Sequence, residues 1–112
     1  MKKFFILGEQ IKQLVPSDLG GCFITDRVAV DGQKIGYMYR EEADRPEDSG
    51  WRFFSGDESQ DYIDDLSHTG VYAVNTAANY DPDIIPYLDT PAPCMFEKVD
   101  GSHSYQKVES WS

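Results

Sequence analysis

The chain has 112 residues, with 20 Asp and Glu against 10 Lys and Arg for a formal charge of −10, and at this length about two-thirds of the surface can be buried in one core. With 40% hydrophobic and 13% aromatic residues it is too apolar to be a disordered acidic tail. A field this negative repels phosphate, so nucleic acid and anionic membranes are poor partners and a basic protein or a cation is a good one.

Met1, Lys2 and Lys3 followed by Phe4 to Leu7 imitate the start of a signal peptide, but the apolar run stops at Gly8 and Glu9, short of an h-region. No apolar stretch approaches the roughly 20 residues that span a bilayer. Cys22 and Cys94 read as free, buried thiols, and the expected location is the cytoplasm. Leu7, Ile11, Leu14 and Val15 recur at helical spacing before Pro16 and Gly20-Gly21, which predicts an N-terminal helix within 1–19 that packs as a cover on the rest of the domain.

From Cys22 the period changes to two. Asp31-Gly32 between Cys22–Val30 and Gln33–Arg40 predicts a β-hairpin on a type I′ turn. That register pairs Val30 with Gln33, Val28 with Ile35, Asp26 with Tyr37 and Ile24 with Tyr39 on a core face. Glu41 to Gly50 is a polar, acid-rich loop, and Trp51 to Phe54 a short strand. Asp57 is placed as the cap of a helix that buries Tyr62, Ile63 and Leu66. Val71 to Thr76 reads as a strand, and Asp81 caps a helical turn opened by Pro82 and limited by Pro86. Cys94–Val99 and Tyr105–Val108 are two final strands joined across Asp100-Gly101. The sum is an α+β fold: a single small domain, 1–112, with a mainly antiparallel twisted sheet, the N-terminal helix and short inserted helices.

Few constellations point to catalysis. Asp57, Glu58, Asp61, Asp64 and Asp65 lack the spacing of an EF-hand loop and read as a solvated helix face. His68, His103 and the two cysteines are too scattered for a structural zinc site, and both histidines sit in turn sequences. No phosphate-binding glycine loop occurs. No catalytic residue, metal or cofactor is therefore assigned. Two stretches stand out, Asp48 to Glu58 and Asn75 to Asp83, dense in aromatic, Gly and Asn residues. Trp and Arg beside flexible Gly suit a binding surface, while the alternative is a core role for Trp51, Phe53 and Phe54 and turn bonding by Asn75 and Asn79.

Taken in order, Gly20-Gly21-Cys22, Thr25-Asp26-Arg27, Asp31-Gly32, Gly36 to Glu42, Asp48 to Glu58, Asn75-Thr76, Asn79 to Pro82 and Ile84 to Leu88 resemble the bacterial immunity protein 33-like domain family, first catalogued as a domain of unknown function. The resemblance covers about 20–98, leaving 1–19 as the N-terminal helix and 99–112 as an added C-terminal strand. Pro91 to Met95 departs from the family pattern. The resemblance implies an α+β immunity protein of a polymorphic toxin system, with no assigned catalytic residues, that neutralises a cognate toxin by binding it. From Glu41 to Asp100 there are fifteen acids against Arg45, Arg52 and Lys98, an arrangement suited to a basic toxin. The partner-binding candidates are Asp48, Trp51, Arg52, Asp57, Glu58, Asn75, Asn79, Asp81 and Asp83. Two other readings stand beside this one. The first is a small-molecule-binding or enzymatic domain whose pocket gathers Trp51, Arg52, Asn75, Asn79 and Asp81. The second is a stand-alone regulatory or structural domain.

Overall fold

The computed structural model describes residues 3–109; Met1 and Lys2, and the end of the expected C-terminal extension at 110–112, lie outside the described residues. Six strands form one mixed sheet in the order β4-β1-β3-β2-β5-β6: β1 Gly21–Thr25, β2 Tyr37–Arg40, β3 Asp48–Phe54, β4 Thr69–Ala73, β5 Cys94–Lys98 and β6 Tyr105–Lys107. Three short helices, α1 Asp26–Ala29, α2 Gln60–Asp64 and α3 Val74–Tyr80, interrupt the strands. The fold is α+β as expected. β1 and β3 are parallel and the other four pairings antiparallel.

The Asp31-Gly32 hairpin is not formed. β1 pairs with β3 and β4, not β2, and the chain after Thr25 closes a helical turn in which the Val30 and Asp31 amides both donate to the Asp26 carbonyl. A type I′ turn needs positive φ at both central residues, whereas Gly32 adopts φ +80° and Asp31 does not, since every positive-φ residue described is a glycine. Gly32 thus stops a helix. Inserting that turn shifts the side-chain parity, so Met38 enters the core while Tyr37 and Tyr39 face the other way. Ile24, Val28 and Ile35 are fully buried, but on three different elements.

β2 forms its hairpin with β3 instead, Tyr37 opposite Phe54 and Arg40 opposite Trp51. The expected loop 41–50 is shorter because β3 begins at Asp48. Gly50 sits at φ +87°, where a Cβ would lie 2.1 Å from the Glu41 carbonyl oxygen. Beside it the β1–β3 register slips, so that Gly21 faces Asp48 but Phe23 faces Arg52, a bulge that only glycine accommodates.

The N-terminal helix is likewise replaced, by a 3-10 turn at Gly8–Gln10, extended chain and a second 3-10 turn at Ser17–Leu19. Of its four periodic residues only Val15 is buried. The nine residues from Leu7 to Val15 are marginal as an isolated helix, and here backbone groups of Lys12, Leu14 and Val15 are satisfied from outside. The Asn75 side chain accepts the Leu14 and Val15 amides and donates to the Lys12 carbonyl, while Asn79 accepts the Lys12 amide and donates to the same carbonyl. The two asparagines stand one turn apart on α3, where the sequence predicts a strand through Asn75 to Thr76 and a turn from Asn79.

Ser59, not Asp57, caps α2 by accepting the Tyr62 amide. Asp81 caps the 3-10 turn Pro82–Tyr87 as expected, with Pro82 first. β5 and β6 pair antiparallel as expected.

The core lies on one face of the sheet. Cys22, Ile24, Met38, Trp51, Phe53 and Phe96 meet Val28 and Ala29 of α1, Ala77 and Ala78 of α3, and Ile84 and Leu88. Trp51 is only 1% exposed and donates its indole N–H to the Leu88 carbonyl. Cys22 and Cys94 are buried free thiols, and burial pushes the Cys22 thiol well above its ordinary value.

Candidate binding surface on the open face of the sheet

The alternation that buries Trp51 and Phe53 sends Arg52 and Phe54 to the opposite face, where among the described residues no long helix covers the sheet. Arg52 lies at its centre. Nη1 and Nη2 donate to the two Asp48 carboxylate oxygens at 3.0 Å each, Nε donates to Glu41 at 2.9 Å, and the guanidinium stands 4.4 Å from the Phe23 ring centroid. Burial alone would lower the Arg52 pKa, but its hydrogen bonds to Asp48 and Glu41 outweigh this and raise it. The same bond to Arg52 holds the Asp48 carboxyl below its usual range. Such bidentate pairs are geometrically exacting, and the guanidinium is consequently fixed rather than mobile.

Around it, Tyr39 and Phe54 stack with centroids 5.8 Å apart. Ile63 of α2 and Leu66 of the following turn lean toward the same hollow, about 490 Å³ in volume, between Phe23, Tyr39, Arg52 and Phe54. Leu66, expected in the core, is 84% exposed. Exposed acids flank the lining residues along the chain: Glu41, itself part of the lining, with Glu42, Asp44 and Glu47 in the β2–β3 loop, and Asp61, Asp64 and Asp65 around Ile63 and Leu66.

The sequence-derived candidates fall into four separate places. Asp48 and Arg52 lie on the open face, with Trp51 on the core side of the same strand. Asp57 and Glu58 lie at the edge of the acidic segment: Asp57 stands 3.5 Å from Arg27, and Glu58 accepts from the Thr25 hydroxyl and the Ser55 and Gly56 amides. Asn75 and Asn79 hold the N-terminal segment. Asp81 and Asp83 belong to a fourth cluster, in which Lys98 Nζ reaches Asp81 at 2.5 Å and Asp83 at 3.3 Å. Asp81 is 1% exposed and also accepts the Ile35 amide, while His103 stands 2.9 Å from Asp83. Burial would raise the Asp83 carboxyl, but His103 and Lys98 hold it low.

Trp51, Arg52, Asn75, Asn79 and Asp81 therefore do not converge on one pocket, and the ligand-pocket reading is corrected: each already serves packing or an internal hydrogen bond. Phe23, Tyr39, Phe54 and Leu66 are not among the candidates read from the sequence, although period two already sets Phe23 on the outer side of its strand. Their signal was the period-two alternation of Phe23 and Tyr39, masked by the hairpin register, and a lone Leu66 amid acids. Among the described residues no three His, Cys, Asp or Glu side chains gather as metal ligands, and no helix is long and apolar enough to cross a membrane.

The described residues thus form a small mixed sheet with one face packed and the other aromatic, with Arg52 fixed at the centre of the open face. The family model of the immunity protein Imm33 domain matches residues 22–109, and the chain belongs to that family. Membership carries an immunity function against a toxin. No curated protein or solved structure matches the chain significantly.

Proposed function

We propose that this chain is a non-enzymatic immunity protein of a bacterial polymorphic toxin system, acting in the cytoplasm by binding a cognate, basic toxin directly. The observation that carries the reading is the open sheet face, with Leu66 84% exposed over an aromatic hollow between two groups of acids. An apolar centre with a charged rim is the anatomy of a protein interface. The rim acids steer a positive partner toward it, and Phe23, Tyr39, Phe54 and Leu66 exclude water around Arg52 once it arrives. Of the nine candidate residues, Asp48 and Arg52 act at the centre and Asp57 at the margin. Trp51, Glu58, Asn75, Asn79, Asp81 and Asp83 support the scaffold.

The test is binding of the toxin domain encoded beside this chain's own gene, at increasing ionic strength. The association rate is expected to fall by about tenfold or more between about 0.05 and 0.5 M salt, and Leu66→Asp is expected to abolish protection of cells that express the toxin. An association rate indifferent to salt, together with undiminished protection by Leu66→Asp and by Asp61→Lys, would remove this surface from the interface. A gene neighbourhood without a toxin favours the stand-alone regulatory reading.

A further inference from the structure

The sheet ends at two edges of unlike design. β6 is three residues long and carries exposed Gln106 and Lys107, the short charged edge by which sheets avoid unwanted pairing. β4 is five residues, Thr69-Gly70-Val71-Tyr72-Ala73, with no charge and no proline, and Val71 at its middle is 72% exposed. The direction of its backbone groups follows from the ladder. The Val74 amide donates to the Gly20 carbonyl, so residues 74, 72 and 70 turn toward β1 and residues 69, 71 and 73 turn outward. The Thr69 amide is taken by the Leu66 carbonyl and the Ala73 carbonyl by the start of α3. The Val71 N–H and C=O, the Thr69 C=O and the Ala73 N–H have no backbone partner among the described residues.

We infer that this edge receives an extended strand of the basic partner, which lengthens the sheet beyond β4 and lays alternate side chains on the open face. The inference deepens the toxin-binding reading and rests on it. Two observations select the occupant. The chain's charge of −10 makes a second copy repulsive, whereas acids lie at both ends of the edge: Asp64 and Asp65 precede Thr69, and Glu47 and Asp48 line a hollow of about 310 Å³ against Val71 and Phe23, with Arg45 as its basic counterpart beside Arg52. Val71 pairs with Phe23 across β1, so an added strand continues the same face that Arg52 and Phe54 occupy. Main-chain bonds then supply affinity, and the open-face positions supply selectivity.

Hydrogen exchange on the wild-type chain, alone and with the purified toxin domain encoded beside its gene, reads this directly. The Val71 and Ala73 amides should exchange fast in the free protein and at least about tenfold more slowly in the complex. Val71→Pro, which removes the outward donor but fits an edge strand, should weaken binding by about tenfold, whereas Val71→Thr, which keeps shape and N–H, should bind nearly as wild type. If Val71→Pro does not fold, the exchange result decides. A complex that leaves both amides unprotected overturns strand addition and leaves the toxin-binding reading standing. Absence of any complex overturns both, and concentration-dependent dimers of the chain alone that protect Val71 would assign the edge to a second copy.

Discussion

Arg52 has 7% of its surface exposed yet carries a charge, and its two partners lie nearer solvent than it does. Removing it leaves Asp48 and Glu41 facing one another across an aromatic floor, although both keep access to water. Arg52→Met is therefore expected to cost about 2 kcal/mol in urea unfolding at neutral pH, less than for a wholly buried pair. The pH dependence has a definite sign. Asp48 titrates below its ordinary value in the folded state, so its contribution is complete above the usual carboxylate range and fades as pH falls through the lower folded value. The advantage of the wild type over Arg52→Met should shrink accordingly in acid.

At the scale of elements, the N-terminal segment is held by side chains rather than by its own helical bonds. Asn75 and Asn79 make five hydrogen bonds to Lys12, Leu14 and Val15 between them. Asn75→Ala with Asn79→Ala should speed exchange of the amides of Lys12, Leu14 and Val15 by about tenfold or more while costing roughly 1–3 kcal/mol overall. The same pair shows why some elements were legible in the sequence and others were not. β5, β6 and the Asp81-Pro82 cap were legible because hairpin alternation and capping are local chemistry. The Asp31-Gly32 turn was not, because one glycine at positive φ serves a helix stop as well as a hairpin. The N-terminal stripe of Leu7, Ile11, Leu14 and Val15 misled because the competing bonds came from α3, at sequence separations of 60 and 61 residues. The open face was legible only in its acids. Which side Tyr39 and Phe54 take depends on which strands pair, and period two cannot distinguish a strand's core side from its outer side.

Across the whole molecule, Lys98 and Asp81 join β5 to the Pro82–Tyr87 turn and, through the Ile35 amide, to the approach to β2. The Tyr105 hydroxyl of β6 donates to the Ile35 carbonyl at 2.6 Å, and burial followed by the nearby Asp81 charge pushes its pKa well up. Lys98→Met strands a carboxylate that is 1% exposed and should cost about 3–5 kcal/mol in urea unfolding. Adding Asp81→Asn to Lys98→Met should recover part of that loss, since the amide needs no cation. Separate additive losses would instead show that the two residues act independently.

The strand order also acts in time. β2 and β3 close over the short loop 41–47, and β5 and β6 over 99–104, but both neighbours of β1 are made later than β1 itself, with β4 ending only at Ala73. During synthesis Cys22 and Ile24 must wait for most of the chain before they can be covered, and non-local pairing of this kind is slow. The buried face of β1 is therefore completed only after β4 has been made, and the order of the strands along the chain sets when the domain can first present its open face.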